Sequence, residues 1–444
     1  MSAIINKKIT AVAAILLLIL SLSGCSVKSA DDLCALPRHP DSGSELQTAI
    51  DAVMTKDFHY CAPVSGENRQ SVQLEDLDGD GETEAVVFTK TDGEDPLRAF
   101  VFDLVDGRYQ NVAVLAGAGS DFSTVEYLEI DGSPGLEMIL GRQLNGQLLM
   151  SFDVYQMRDG QMQPLLAAAC LEYASADLDS DGCTDLLLFR PDGTQNGIAE
   201  FYRNQDGKLC KESEAPMSGE IREIRRVVSG NLTWDTPAVF VAASCTDEKT
   251  LTDVFAFRNG QFSNVTLSDS GRSDPILHSL GMYAADIDSD GVIELPEQVT
   301  LPVSDASGEV FSLFKWYNLD LNGNRTDKIT TCHRFSSGWY LILPEQWNDQ
   351  ITIRRTADAD GAQGLEFLQW RGMEEPVPIF SVFAFSGEDR NVRGTSDGRF
   401  ILAEKGGMTY AAKPGTSIWT EDLTQEQMKQ MFNFIHIDWN SGET

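Results

Sequence analysis

The chain has 444 residues, with 68 acidic against 34 basic side chains and a formal net charge of −34 at pH 7. So acidic a surface repels phosphate backbones and anionic lipid headgroups, which excludes nucleic acid as a partner and electrostatic attachment to a membrane. Eight cysteines are scattered along the chain with none in Cys-x-x-Cys spacing, so neither a disulfide framework nor a zinc site is encoded.

The chain opens with Lys7 and Lys8, then a nearly unbroken apolar run from Ile9 to Leu20, then Leu22-Ser23-Gly24-Cys25. A basic start, a short apolar core and a small-residue cleavage site describe a secretory signal over residues 1–24. The core is too short to span a bilayer as a helix. Leu-Ser-Gly-Cys resembles the lipobox of bacterial lipoproteins. That resemblance implies a lipid on the Cys25 thiol, cleavage before it, and an extracytoplasmic chain held to the cell membrane through the lipid. The polar stretch after Cys25 suits a tether over residues 25–41.

Leu46, Ala49, Ile50, Val53 and Met54 recur at helical spacing. They predict a short amphipathic helix within a lead-in, residues 42–69, packed on a set of repeats. These repeats begin at about residue 70. Asp76-Leu-Asp-Gly-Asp-Gly-Glu-Thr-Glu84, Asp177-Leu-Asp-Ser-Asp-Gly-Cys-Thr-Asp185 and Asp286-Ile-Asp-Ser-Asp-Gly-Val-Ile-Glu294 all read D-x-D-x-D-G-x-x-[DE]. Degenerate copies lie midway, at Glu129 to Glu137 and from Ser229 onward, giving a period of about 50 residues, a length typical of propellers and repeat arrays. Each unit holds a short lead strand, the acidic loop and an apolar run such as Ala85 to Phe88 or Leu186 to Phe189. Next comes a hairpin with a tight turn, as at Asp106-Gly107, Asp159-Gly160 and Asn259-Gly260. Four short strands per unit is the content of one propeller blade. The fold expected is mainly β: a propeller of five to seven blades over residues 70–337, with calcium loops. Beyond it the acidic repeat fades, and residues 338–444 are expected to form a small separate α+β domain. It would end in a helix opened by Thr424 and Gln427 at capping-box spacing. Asp358-Ala-Asp-Gly361 reads as a hairpin turn.

The loop spacing has a chemical reason. Calcium takes six to eight hard oxygen ligands. Side chains at positions 1, 3 and 5 of a tight loop converge, glycine at 6 permits the turn, the carbonyl at 7 faces inward, and an acid at 9 closes the cage. Up to three calcium ions are therefore expected. One would sit on Asp76, Asp78, Asp80 and Glu84 with the Glu82 carbonyl. A second would take Asp177, Asp179, Asp181 and Asp185 with the Cys183 carbonyl, and a third Asp286, Asp288, Asp290 and Glu294 with the Val292 carbonyl. An EF-hand would need a bidentate Glu at position 12. Two loops have Val87 and Leu188 there and the third has Glu297, but the residues that follow the loops are β-branched and apolar in runs of strand length. The copies at 129 and 229 lack the full acid set and are assigned no metal.

These loops and their flanks resemble the FG-GAP/VCBS repeats of integrin-α-like β-propellers. The whole arrangement looks like VCBS-repeat lipoproteins of Firmicutes, a likeness that implies a setting rather than an activity. The Phe-Gly…Gly-Ala-Pro element that names FG-GAP repeats is not evident. There is no H-E-x-x-H, G-x-S-x-G, P-loop or G-x-G-x-x-G. A non-enzymatic surface module is thus expected, for binding, adhesion or scaffolding, with a protein or glycan ligand. The alternatives are a polysaccharide-active enzyme on a propeller, or an envelope assembly or sensing lipoprotein. Trp316, Trp339 and Trp347 are expected in core or rim packing rather than on sugars, and the five histidines as surface or packed residues.

Overall fold

The computed structural model describes residues 41–144, 148–193, 197–205, 207–246, 249–273, 282–303, 308–357 and 361–435. The signal, Cys25 and nearly all of the tether lie outside them, as do Asp358 to Asp360. Among the described residues, no helix is long and apolar enough to cross a membrane.

The protein is mainly β, and the described residues form six antiparallel sheets that succeed one another along the chain. Sheet I comprises Val72–Glu75, Glu84–Lys90, Leu97–Val105 and Arg108–Gly117, with the two-residue strand His59–Tyr60 added beside Glu84–Lys90. Sheet II is Asp121–Leu128, Glu137–Gln143, Met150–Arg158 and Gln161–Cys170. Sheet III is Glu172–Ala176, Asp185–Pro191, Gly197–Asn204 and Leu209–Pro216. Sheet IV is Ile221–Thr233, Thr236–Cys245, Thr250–Arg258 and Gln261–Asn264. In each, every strand pairs with the next, a simple meander. The tight turns form as the dipeptides predict: Asp106 and Gly107, Asp159 and Gly160, and Asn259 and Gly260 all have positive φ, as a type I′ turn requires.

The apolar runs explain how the sheets stack. The second strand of each of these four sheets is buried on both faces, so alternate side chains meet different neighbours. Val86 and Phe88 pack with Val125, Met138 and Leu140 of sheet II. Ala85 and Val87 instead receive Leu46, Ala49, Ile50 and Val53 of the helix Asp41–Val53. Ile139 packs with Leu186 and Leu188 of sheet III, and Leu187 and Phe189 pack with Val239 and Val241 of sheet IV. Phe240 then meets Leu295 and Tyr317 of sheet V. Each side chain buried in this way contributes about 1.5–3 kcal/mol relative to exposure.

Sheet V runs Leu295–Thr300, Ser312–Leu319, Arg325–Arg334 and Trp339–Leu343, and is completed by Phe432–Phe434 from the chain's far end. Sheet VI holds Ile351–Ala357, Gln363–Gln369, Val377–Phe385, Met408–Pro414 and Phe400–Lys405. The expected boundary at 337/338 is therefore displaced. It falls inside a hairpin, where Arg334 pairs with Trp339 and Thr330 with Leu343. One cluster joins Leu301, Leu313 and Cys332 to Ile351, Phe367, Phe380, Met428 and Phe432, so residues 338–435 share a core with sheet V. The helix Gln425–Met431 does form, with the Thr424–Gln427 capping box. It leads into the last strand of sheet V instead of ending a separate domain. A closed propeller is not found: among the described residues no hydrophobic cluster joins sheet VI to sheet I.

Candidate functional site: the acidic loops

In the first three sheets the acidic loop joins the first strand to the second. Its ninth residue opens the second strand, with Glu84 opposite Glu75, Glu137 opposite Leu128 and Asp185 opposite Ala176. Before sheet V the bridge between Ala285 and Glu294 frames the same loop. The second loop residue is apolar and buried in every case: Leu77, Ile130, Leu178 and Ile287. It anchors the loop to the sheet.

The hydrogen bonding repeats from loop to loop. The amide of position 2 donates to the carboxylate of position 9: Leu77 to Glu84 at 2.7 Å, Leu178 to Asp185 at 2.9 Å and Ile287 to Glu294 at 3.0 Å. The position-6 amide donates to position 1, from Gly81, Gly182 and Gly291 to Asp76, Asp177 and Asp286, each at 3.0 Å. These glycines have φ of +88°, +93° and +86°, a conformation that strains any other residue. The position-7 amides of Glu82, Cys183 and Val292 donate to the position-5 carboxylates of Asp80, Asp181 and Asp290.

Carboxylate oxygens of Asp76, Asp78 and Glu84 lie within 4.8 Å of one another, as do those of Asp177, Asp179 and Asp185, and of Asp286, Asp288 and Asp290. Two ligands of one calcium ion, each at about 2.4 Å, are at most about 4.8 Å apart. The structure thus gathers three of the four expected acids in each loop. Asp80, Asp181 and Glu294 stand outside these groups. The copy at 129 also assembles one: Glu129, Asp131 and Glu137 meet the same distance, and Ile130 donates to Glu137 at 2.7 Å. Acids at positions 1, 3 and 9 are visible there in the sequence, and Ser133 in place of an acid at position 5 conceals the site. In the fourth unit the register starts at Asn231 rather than Ser229, because Leu232 takes the buried second place. That loop is a short hairpin closed by the pairing of Thr233 with Thr236, and among the described residues it has no acid group of this kind.

The ninth-position acids sit in apolar surroundings. Burial pushes Glu84, Asp185, Glu294 and Glu137 up to about 7, against the lowering effect of the amide each accepts. Glu84 and Glu294 each have one buried carboxylate oxygen, Oε1, with no hydrogen-bond partner among the described residues. An orphaned oxygen of that kind is costly unless a cation or proton meets it. Basic side chains partly neutralise some loops. Arg203 reaches Asp179 at 2.6 Å, Lys328 reaches Asp290 at 2.6 Å and Asp288 at 3.6 Å, and Arg158 reaches Asp131 at 3.4 Å. The first loop has no such partner among the described residues. Sequence spacing could not reveal these cations, which arrive from strands 24 to 40 residues away.

The loops also touch one another. The position-8 amide donates to the position-1 carbonyl of the preceding loop: Leu136 to Asp76 at 3.1 Å, Thr184 to Glu129 at 2.9 Å and Ile293 to Asn231 at 2.9 Å. Gly79 and Gly135 lie so close that a Cβ on either would stand within 2.6 Å of the other loop's backbone. Elsewhere, Trp316, Trp339 and Trp347 are buried, consistent with packing. His333 stacks on Tyr340 and is held neutral by burial, its pKa lowered to about 3. His59 is exposed, and His39, His278 and His436 lie outside the described residues.

No family model and no curated protein matches the chain. Solved structures similar to it include the rhamnogalacturonan lyase YesW, with a TM-score of 0.32 and 14% identity over 72% of each chain. The exotype rhamnogalacturonan lyase YesX has a TM-score of 0.29 and 11% identity, covering 81% of this chain and 88% of that one. A protein from Lactobacillus plantarum has a TM-score of 0.27 and 11% identity, covering 71% and 90%. Scores this low carry no functional argument.

Proposed function

We propose that this chain is a calcium-stabilised binding module, lipid-anchored outside the cell, in which the metal holds loops in shape and performs no chemistry. The observation that carries the reading is the orphaned Oε1 of Glu84, buried beside Asp76 and Asp78 with no basic partner among the described residues. The donor set is all hard oxygen, which suits calcium and not zinc or copper. Asp76, Asp78 and Glu84 would hold one ion, Asp177, Asp179 and Asp185 a second, and Asp286, Asp288 and Asp290 a third, with Glu294 beside the last. The serial stacking of the sheets supports a propeller-like array that displays these loops in a row. Elemental analysis and calorimetry on the purified mature chain test this. Bound calcium at millimolar supply and a melting temperature lowered by chelator are expected; absence of both would refute it. Anchoring is tested separately by mass spectrometry, which should find diacylglycerol on an N-terminal Cys25. A lipid-free N-terminus elsewhere would end that part of the proposal.

A further inference from the structure

Among the described residues, the first strands of sheets II, III and IV each pair on one side only. Their open edges approach one another, and between them lies a cavity of ≈ 310 Å³. It is separate from the acid groups of the loops. At that size it lies at the lower end of small-molecule sites, enough for one sugar ring.

Its lining is unusual for a structural gap. Glu126 from Asp121–Leu128 and Glu172 from Glu172–Ala176 both face it, and neither has an ion-pair partner among the described residues. Each carboxyl is held above the usual carboxylate range, chiefly by burial; for Glu172 the neighbouring charge of Glu126 adds to it. Tyr173 presents its hydroxyl between Thr124, at 3.4 Å, and Glu126. The Ser175 hydroxyl also reaches Glu126. Arg225 and Arg226 line the opposite wall from Ile221–Thr233, and Glu223 balances Arg225 at 3.0 Å. The cavity therefore offers two strong acceptors, several hydroxyls that both donate and accept, and two guanidinium groups that donate. An inorganic anion would meet the carboxylates, and a bare cation would leave the hydroxyl and guanidinium donors without acceptors. A ligand whose groups each donate and accept satisfies all of them.

We propose that this cavity binds a neutral sugar ring, with Glu126 and Glu172 accepting from its hydroxyls and Arg225 donating to one. The proposal rests on the binding-module reading above and names the ligand class of that module. A uronic acid is disfavoured on the side of Glu126 and Glu172, where its carboxylate would meet two like charges.

The test uses the full mature chain in millimolar calcium, titrated calorimetrically and by saturation-transfer NMR. The probes are glucose, galactose and mannose, with glucuronate and glucosamine as charged counterparts. At least one neutral hexose should bind saturably at millimolar concentration, with glucuronate weaker by about tenfold or more, the loss expected for one unfavourable charge contact. Glu126→Gln and Glu172→Gln should each weaken binding by about tenfold, the scale of one charge-assisted hydrogen bond. Trp234→Ala, on an exposed hairpin outside the cavity, should leave it unchanged. No binding of any neutral hexose, undiminished binding in both Gln variants, or a preference for glucosamine would overturn the proposal. The last would make the site one for ammonium ions. Melting curves with and without chelator on the same samples separate the two readings. A calcium effect without sugar binding sinks only the cavity, whereas no calcium effect sinks the metal reading itself.

Discussion

At the scale of single residues, the four ninth-position acids dominate the behaviour of the metal-free protein. Their folded pKa values near 7 lie above the ordinary 4.5 of Glu and 3.8 of Asp. Between those limits the folded chain binds more protons than the unfolded one, so their contribution to stability falls as pH rises through that window. Calcium requires the ionised form and competes with those protons. The rise in melting temperature caused by calcium over chelator should therefore be larger at about pH 7.5 than at about pH 5. Differential scanning calorimetry at the two pH values reads this directly, and an equal or reversed difference would show that Glu84 and Asp185 are not ligands. Lys328 gives a second residue-level expectation. Its ammonium already sits on Asp290 and Asp288, where it acts against a divalent ion. Lys328→Ala should raise calcium affinity at that loop by up to about fivefold, the scale of a surface ion pair. Asp78→Ala, in the loop without a basic partner, should remove one ion outright by elemental count.

At the scale of elements, each loop belongs to one sheet and is hydrogen-bonded to the loop before it. The amide of Leu136 in sheet II's loop donates to the carbonyl of Asp76, a residue whose side chain belongs to the first acid group. Metal at the first loop should then protect an amide in the next. Hydrogen exchange should show Leu136 slowed by calcium in the natural chain and not in Asp78→Ala, while Ile293, bonded to Asn231, keeps its protection in both. Exchange at Leu136 indifferent to calcium would mean the loops act alone. The tight turns at Asp106, Asp159 and Asn259 and the helix Asp41–Val53 were readable from sequence because their signals are local. The group at Glu129, Asp131 and Glu137 was half-readable: its spacing was present, but its worth depends on burial of Glu137, which no spacing encodes.

At the scale of the molecule, six sheets stack in series and the chain returns at its end to close the fifth. Phe432 is 7% exposed and packs against Trp339 and Tyr410. Phe432→Ala should cost about 3–5 kcal/mol, the usual penalty for emptying an aromatic site. It should destabilise sheets V and VI together, seen as one shifted transition by circular dichroism. Limited proteolysis should fail to separate residues 70–337 from 338–444. Two stable fragments cut at that point would show that the shared cluster of Leu301, Leu313, Ile351 and Phe380 is not a common core.

The sequence by itself determined the β class, the fifty-residue period, the strand-and-turn pattern and the acids of the three loops. All of these depend on residues a few positions apart, whose periodicity and turn chemistry act locally. Only the tertiary structure decided the rest. It ran sheet V across the expected domain boundary, because the pairing of Phe432–Phe434 with Trp339–Leu343 spans some ninety residues of chain and leaves no local mark. It brought Lys328 and Arg203 to the acids, buried one oxygen of Glu84, and set Glu126 and Glu172 facing one cavity from different sheets. Long-range pairing and burial are properties of the packed whole, and a linear pattern carries no record of which distant strands will meet.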